Sequence, residues 1–370
     1  MSQRIAIIGG GQLARMMALD GIPMGISFSF LVEHGEDTRC VNNLGDIVTR
    51  SADQSSQALY EALGQPTVIT VEKEHVDIPL LRELQSLCPV YPNPDGLEKF
   101  KNRLSEKRFL QSLEIPLAAF QEVTSREELE QAINTLAKPI FLKSQEQGYD
   151  GYNQYKITDD NAADVLSSIE FPSQWVAESF VDFQREVSFI AVRSTSNKVR
   201  IYPAVENYHH NGTLLTSLAP APELSDDQIE RAKSYLKKIV KAVDYVGVIC
   251  MECFVCGDDI LVNEIAPRVH NSGHWTSKGA LTSQFENHVR AVSDLPLGST
   301  EALGISGMLN LLGVTLSAEQ ACDAHSFLTL YGKTTRPRRK LGHVTVNYNN
   351  YDDAITRVKT LEELAYGKDV

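Results

Sequence analysis

Residues 251–275 read MECFVCGDDILVNEIAPRVHNSGHW, and this stretch restricts the fold more than any other. An apolar run carrying Glu252 leads to Gly257, Asp258 and Asp259. A second apolar run, Ile260, Leu261 and Val262, then ends on Asn263 and Glu264. Two β-rich runs joined by a Gly/Asp turn predict a hairpin. Pairing across that turn brings Glu252 and Glu264 together near its open end. Adjacent carboxylates repel, and a hard cation between them relieves the repulsion. Mg²⁺ prefers one or two carboxylates plus substrate phosphates. The next residues, Arg268, Val269, His270, Asn271, Ser272, Gly273, His274 and Trp275, supply a cation, two imidazoles, an amide and a hydroxyl. Solvated acids on a plain hairpin account for the two glutamates about as well, but not for this run of polar groups.

At 370 residues the chain is too long for one ordinary core, and two or three domains are expected. A hydrophobic content of 42% supplies those cores, and no apolar tract is long enough to span a bilayer. The start goes directly into an apolar strand without the features of a signal peptide, so the cytoplasm is the default. A formal charge of −13 speaks against nucleic acid as a partner. Cys250, Cys253 and Cys256 form C-x-x-C-x-x-C, but no fourth cysteine follows at cluster spacing. Within a strand that spacing alternates faces. With Cys40, Cys88 and Cys322 they read as buried small apolar residues in a reducing compartment.

Residues 4–8 predict a buried strand, followed by Gly9, Gly10 and Gly11 opening a helix. Bare amides at a helix N-terminus form an anion site. Read as G-x-G-x-x-A ending on Ala14, with Glu33 after the next strand, the loop also fits a dinucleotide fingerprint. Strands at 26–32 and 67–71 and a helix at 54–63 extend a doubly wound α/β domain. Residues 72–76 then lie at a strand's carboxyl end, where such sheets bind ligands. The breaker cluster Pro92-Asn93-Pro94-Asp95-Gly96 predicts a domain boundary. A helix carrying residues 102–107 and another at 125–136 follow. Lys143 ends a strand before the loop 144–154, whose glycines suit a flap over phosphates, although on these residues alone an ordinary hairpin loop is the stronger reading. Strands at 175–181, 187–192 and 199–205 and a helix at 226–243 lead into the hairpin. A helix at 282–292, a boundary at 295–298 and a C-terminal helix at 354–364 complete the chain.

These residues resemble the ATP-grasp carboxylase-type ligases, most closely the N5-carboxyaminoimidazole ribonucleotide synthetase family. The resemblance runs from Gly9-Gly10-Gly11-Gln12-Leu13 to Gly342-His343-Val344. Its most specific part is Asn263 to Thr276, together with Ser283-Gln284-Phe285-Glu286. It implies ATP- and bicarbonate-dependent carboxylation of 5-aminoimidazole ribonucleotide, through carboxyphosphate, in purine biosynthesis. It places ATP contacts on Arg103, Lys143, Gly148, Tyr149, Asp150, Gly151, Tyr152, Asn153, Gln154, Glu178, Ser179, Phe180, Val181, Glu186, His209, Asn263 and Glu264. Mg²⁺ falls to Glu252 and Glu264. Arg268, His270 and Asn271 are the expected catalytic residues around bicarbonate. Gln12, Leu13, Glu74, Lys333, Arg336, Arg339 and Lys340 are expected at the ribonucleotide, with the loop 9–12 donating to its phosphate and Arg338 pointing to solvent.

The implied fold is multidomain α/β and α+β. An N-terminal doubly wound domain spans 1–98 and an ATP-grasp unit 99–296, with a flap-bearing lobe near 115–180. A small β-rich domain spans 297–370. A homodimer is implied as well. The chain departs from the family at Gln147 and Asn153, where the flap usually has glycine, and at Tyr152, where it has a cation; a stiffer flap is expected. Ala14 and Arg338 also replace glycines of the family pattern. Two other readings stay open on the residues alone: a nicotinamide-dependent oxidoreductase using 9–14, and a non-catalytic nucleotide-binding module.

Overall fold

A computed structural model describes residues 3–51, 53–146 and 154–367 of the chain. Three sheets organise it. The first is parallel and four-stranded: β1 (Arg4–Ile8), β2 (Ser27–Val32), β3 (Asp46–Thr49) and β4 (Val68–Val71), in the order β3-β2-β1-β4. Residues 5–8 of β1 are buried with no alternation. That is the pattern of a parallel strand covered on both faces.

The second sheet is antiparallel and belongs to a small lobe. It contains β5 (Phe120–Val123), β6 (Ile140–Ser144), β7 (Gln154–Ile157) and β8 (Trp175–Ser179), ordered β5-β8-β6-β7. Residues 147–153 lie outside the described residues. The expected flap contacts Gly148, Tyr149, Asp150, Gly151, Tyr152 and Asn153 therefore have no structural account, and neither has the departure at Gln147.

The third sheet holds β9 (Arg185–Arg193), β10 (Val199–Ile201), β11 (Val205–His210), β12 (Thr213–Ala219), β13 (Gly247–Cys256), β14 (Asp259–Ala266), β15 (Ile305–Leu312), β16 (Ser326–Leu330) and β17 (Lys340–Tyr348). Its order is β14-β13-β9-β11-β12-β15-β17-β16, with β10 paired to β9. The strands after residue 297 thus continue the central sheet, joined where Thr216 pairs with Leu309. The predicted hairpin is β13–β14, and Glu252 faces Glu264 in its register, beside a bulge at Glu252/Cys253. The bulge bends the strand where the two carboxylates emerge.

The breaker cluster at 92–96 starts a helix. Asn93 caps the helix Pro94–Lys101 by accepting from Gly96 N, with Pro94 in the first turn. Its Nδ2 donates to Val243 O at 2.7 Å, so the cluster ties the first unit to the central one. Pro at the first helical position suits a helix start, because its missing N–H would have no partner there. Asn102 is likewise a cap, accepting from Leu104 N and Ser105 N ahead of the helix Arg103–Ser112.

One core runs through all three regions. Met17 and Phe28 from the first, Trp275 and Val289 from the middle and Tyr331 from the last belong to it. Cys250 lies in this core, whereas Cys253, three residues on, packs in a separate core on the sheet's other face. Cys40 and Cys88 are buried too. Cys256 is only half-buried and Cys322 is exposed, since each lies at or beyond the end of an element.

Candidate active site

A cleft of about 570 Å³ opens where the three regions meet. Gln12, Leu13 and Glu74 line it from the first region, and Arg103, Lys143 and Gln154 from the small-lobe side. Glu186, His209, Glu252, Asn263, Glu264, Arg268, His270 and Asn271 come from the central sheet and its loop, and Lys340 from β17. Ser179, Phe180 and Val181 do not line it. They run off the end of β8, where Phe180 N donates to Pro139 O at 2.9 Å. Lys333, Arg336 and Arg339 also stand outside this lining.

The site is a set of carboxylates, most of them already held by cations. Glu178 accepts from Lys143 Nζ and Lys107 Nζ, each at 3.1 Å. Burial alone would raise the Glu178 pKa; the two ammonium groups outweigh it and hold the carboxyl at about 2. Burial lowers the Lys143 pKa, and repulsion from Lys107 and Arg103 lowers it further. Arg103 Nη1 stands 3.3 Å from Glu264 Oε2. Glu252 Oε1 lies 3.0 Å from His270 Nε2. Burial pushes Glu252 up, but His270, His209 and Arg268 together leave it at about 2. His209 Nδ1 is 2.9 Å from Glu186 Oε2, within ion-pair reach but off the hydrogen-bond line. Burial lowers the His209 pKa, yet the facing Glu186 leaves it raised.

Arg268 and Glu74 form a two-pronged ion pair between the first region and the loop after β14, through Nε–Oε2 and Nη2–Oε1. Burial pushes the Glu74 carboxyl up, and Arg268 overrides it and holds the carboxyl at about 2. Asn271 is different. It is buried, it lines the cleft, and neither Nδ2 nor Oδ1 has a hydrogen-bond partner. An unpartnered buried amide is costly, and this one opens onto the cleft.

The glycine loop at 9–11 does not hold an external anion. Gly11 N and Ala14 N donate to Glu72 at 2.5 and 2.8 Å, and Gly10 N donates to Glu36 at 3.2 Å. A side chain at Gly9, where φ is +116°, would place its Cβ 2.4 Å from Glu72 Cγ. The chain's own carboxylates fill the anion site, which corrects the expectation that this loop donates to a substrate phosphate. A dinucleotide pyrophosphate would meet the same obstacle.

The basic run near the C-terminus is tied to the first region. Lys333 Nζ donates to Gln12 Oε1. Arg339 reaches Asp37 at 2.8 Å and Thr334 Oγ1 at 2.8 Å. Arg338 is exposed but not merely solvated, because its Nη2 donates to Asn211 O at 3.0 Å. Its φ of +60° is a left-handed conformation that glycine adopts without strain, a physical reason for glycine in the family pattern.

Sequence reasoning missed Glu72, Glu106, Lys107 and Gln145. Glu106 and Gln145 line the cleft; burial first, then the nearby Glu264, pushes the Glu106 carboxyl up to about 8. Glu106 and Lys107 are adjacent charged residues, each almost wholly buried. An isolated charge pair in a helix reads as a solvated face, and only tertiary packing reveals otherwise.

Comparisons with known proteins match all three regions of the chain. The ribonucleotide synthetase pre-ATP-grasp domain matches residues 1–100, and the ATP-grasp domain matches 108–285. The phosphoribosylaminoimidazole carboxylase C-terminal domain matches 306–357. An N5-carboxyaminoimidazole ribonucleotide synthase of Pseudomonas aeruginosa is 39% identical over 369 residues, covering 98% of this chain and 99% of its own. The chain belongs to the N5-carboxyaminoimidazole ribonucleotide synthase family. The family's synthetase from Thermus thermophilus superposes with a TM-score of 0.91 at 39% identity, covering 99% of both chains. The family's synthase from Aspergillus clavatus, in complex with ADP and 5-aminoimidazole ribonucleotide, superposes with a TM-score of 0.87 at 29% identity, covering 98% of both.

The Arg268–Glu74 pair gives a pH signature. Glu74 has a depressed folded-state pKa, so its contribution is present above the ordinary carboxylate range. It fades as pH falls from about 4.5 toward the folded value of about 2. Urea unfolding should show wild type more stable than Glu74→Gln near neutrality. The gap should narrow on acidification across that window.

Proposed function

We propose that this chain carboxylates 5-aminoimidazole ribonucleotide with ATP and bicarbonate, releasing ADP and phosphate. One observation carries the reading: Glu252 and Glu264 face each other in the hairpin register, in the same cleft as Lys143, Arg103 and the unpartnered Asn271. Among the described residues no group of three His, Cys, Asp or Glu gathers around a common point. Two carboxylates fit Mg²⁺, whose remaining ligands are phosphates and water. Glu252 and Glu264 would hold it, and when bound it neutralises charge on the transferred phosphoryl group.

The chain's own residues divide the rest of the work. Lys143 and Arg103 meet the phosphates as fixed cations, with Gln154 beside them; the family's flap contacts at 148–153 lie outside the described residues. Glu178, Ser179, Phe180 and Val181 stand outside the cleft lining, and family resemblance alone supports giving them the adenine edge. Glu186 and His209 take the ribose hydroxyls, and Asn263 the phosphate side. A bicarbonate oxygen attacks the γ-phosphorus and ADP leaves. The resulting carboxyphosphate is attacked at carbon by the substrate amine, and phosphate leaves. Arg268 and Asn271 meet the bicarbonate, with His270 beside them against Glu252. Asn271 can both donate to and accept from bicarbonate, which matches its two open positions. Closing the cleft excludes water, which would otherwise destroy carboxyphosphate.

Gln12, Leu13, Glu74 and the cluster Lys333, Arg336, Arg339 and Lys340 hold the ribonucleotide. Its phosphate carries roughly two negative charges, and a chain of net charge −13 needs a local positive pocket for it. The same reading divides the chain at 1–98, 99–296 and 297–370. It also makes the chain a cytoplasmic homodimer, supported by family resemblance. No described helix is long and apolar enough to cross a membrane.

Coupled detection of ADP tests the reaction. Release should require Mg²⁺ and bicarbonate and should rise when the ribonucleotide is added. Glu264→Gln keeps shape but loses the charge, and turnover should collapse while the circular dichroism spectrum is retained. Substantial activity at saturating Mg²⁺ would remove Glu264 from the metal site.

The ribonucleotide pocket has its own test. A charge-assisted contact is worth roughly 1.5–3 kcal/mol, or about one to two decades in affinity. Lys340→Ala should raise the KM for the ribonucleotide by that factor and leave the KM for ATP nearly unchanged. Arg338→Ala should move neither. Equal behaviour of the two variants would contradict the assignment.

A further inference from the structure

Behind the His270 ring, a line of small polar side chains runs into the central sheet, and the reaction just described makes no use of it. Ser272 Oγ lies 2.9 Å from His270 Nδ1, and Ser188 Oγ lies 2.7 Å from Ser272 Oγ. Asn207 Nδ2 is 3.0 Å from Ser188 Oγ, and Ser217 Oγ is 2.8 Å from Asn207 Oδ1. Cys250 Sγ also touches Ser272 Oγ, at 3.9 Å. All four polar residues are buried, so bulk water does not compete for these bonds. They come from β9, β11, β12 and the loop after β14, and the line therefore crosses three strands of the sheet.

The direction of the chain follows from its His270 end. The backbone N–H of Ser272 also points at His270 Nδ1, 3.3 Å away. An amide N–H can only donate, so Nδ1 accepts and the ring proton sits on Nε2, facing Glu252 Oε1 at 3.0 Å. The Ser272 hydroxyl proton then goes to Nδ1. The short contact between Ser188 and Ser272 needs a proton of its own, and Ser188 supplies it. Ser188 in turn accepts from Asn207, which accepts from Ser217. Every hydrogen bond runs the same way, from β12 to His270 Nδ1, and the far ring nitrogen stands within ion-pair reach of Glu252.

The geometry points to Ser272, backed by Ser188 and Asn207, as positioning residues that hold the His270 ring as an Nε2–H donor on Glu252. They thereby set the carboxylate that faces Glu264. This rests on the reading of Glu252 as a Mg²⁺ ligand. Hydrogen bonds to a metal-binding carboxylate fix its orientation, and removing such a partner costs about 10- to 100-fold in metal affinity or activity. Packing alone would not demand a chain of one direction ending on a single ring nitrogen.

Nitrogen-15 NMR of histidine-labelled, metal-free protein reads the ring directly. The wild type should show His270 with a bare, hydrogen-bonded Nδ1 and a protonated Nε2. In Ser272→Ala, Nδ1 loses the shorter of its two donors, and its resonance should move downfield. Mn²⁺ binding to the complex with a non-hydrolysable ATP analogue, read by electron paramagnetic resonance, should weaken by about 10-fold. The KM for the ribonucleotide should hold. Asn207→Asp keeps the shape but exchanges the amide donor for an acceptor. It should weaken Mn²⁺ binding in the same direction with Ser272 in place, so a folding defect in one variant does not decide the matter. A protonated Nδ1 in the wild type, or unchanged Mn²⁺ binding in both variants, would overturn the inference. A wild type that binds Mn²⁺ and the analogue but forms no carboxylated product would instead overturn the assigned reaction, and the ring measurement would stand.

Discussion

Glu252 and Glu264 are paired across an antiparallel ladder, and two like charges at that spacing need compensation. The surroundings supply it. His270 stands against one carboxylate and Arg103 against the other. Both compensating groups lie on segments that meet only when the chain is folded: the loop after β14 and the helix after Asn102. The turn between β13 and β14 fixes the register, and a slip of one residue would send one carboxylate to the opposite face. The local strand pairing thus fixes where the two carboxylates meet these groups.

Charge also fastens the regions to each other. Arg268 reaches Glu74, Arg339 reaches Asp37, and Lys333 reaches Gln12. Each bond joins the first region to a segment far along the chain, and each involves residues that the proposed function gives to substrate. A shared apolar core beneath them supplies the bulk of the adhesion. The bonds at the rim set the geometry of the cleft. Substrate entering this site meets an existing network and competes with it, whereas Asn271 waits with both amide atoms unused.

Much of this was legible in the residues. The Gly257-Asp258-Asp259 turn between apolar runs is a local signal, and it placed Glu252 against Glu264 correctly. Strand and helix positions along the chain followed from the same local chemistry. Long-range burial was not legible. Glu72 looked like a loop residue at a strand end, yet it plugs the glycine loop across more than fifty residues of sequence. Lys107 and Glu106 carry no sequence mark of their buried state. The cluster at 92–96 has the composition of a linker, but the same residues cap and start a helix. In each case the composition admits two outcomes, and a distant contact selects one.

In the working complex Glu252 and Glu264 should share one cation. A crystal structure with Mg²⁺, a non-hydrolysable ATP analogue and 5-aminoimidazole ribonucleotide tests it most directly. The expected result is one Mg²⁺ about 2.0–2.1 Å from an oxygen of each carboxylate, with phosphate oxygens completing its shell. Mg²⁺ held by the phosphates alone, with Glu264 still on Arg103 and Glu252 bound only to His270, would contradict it.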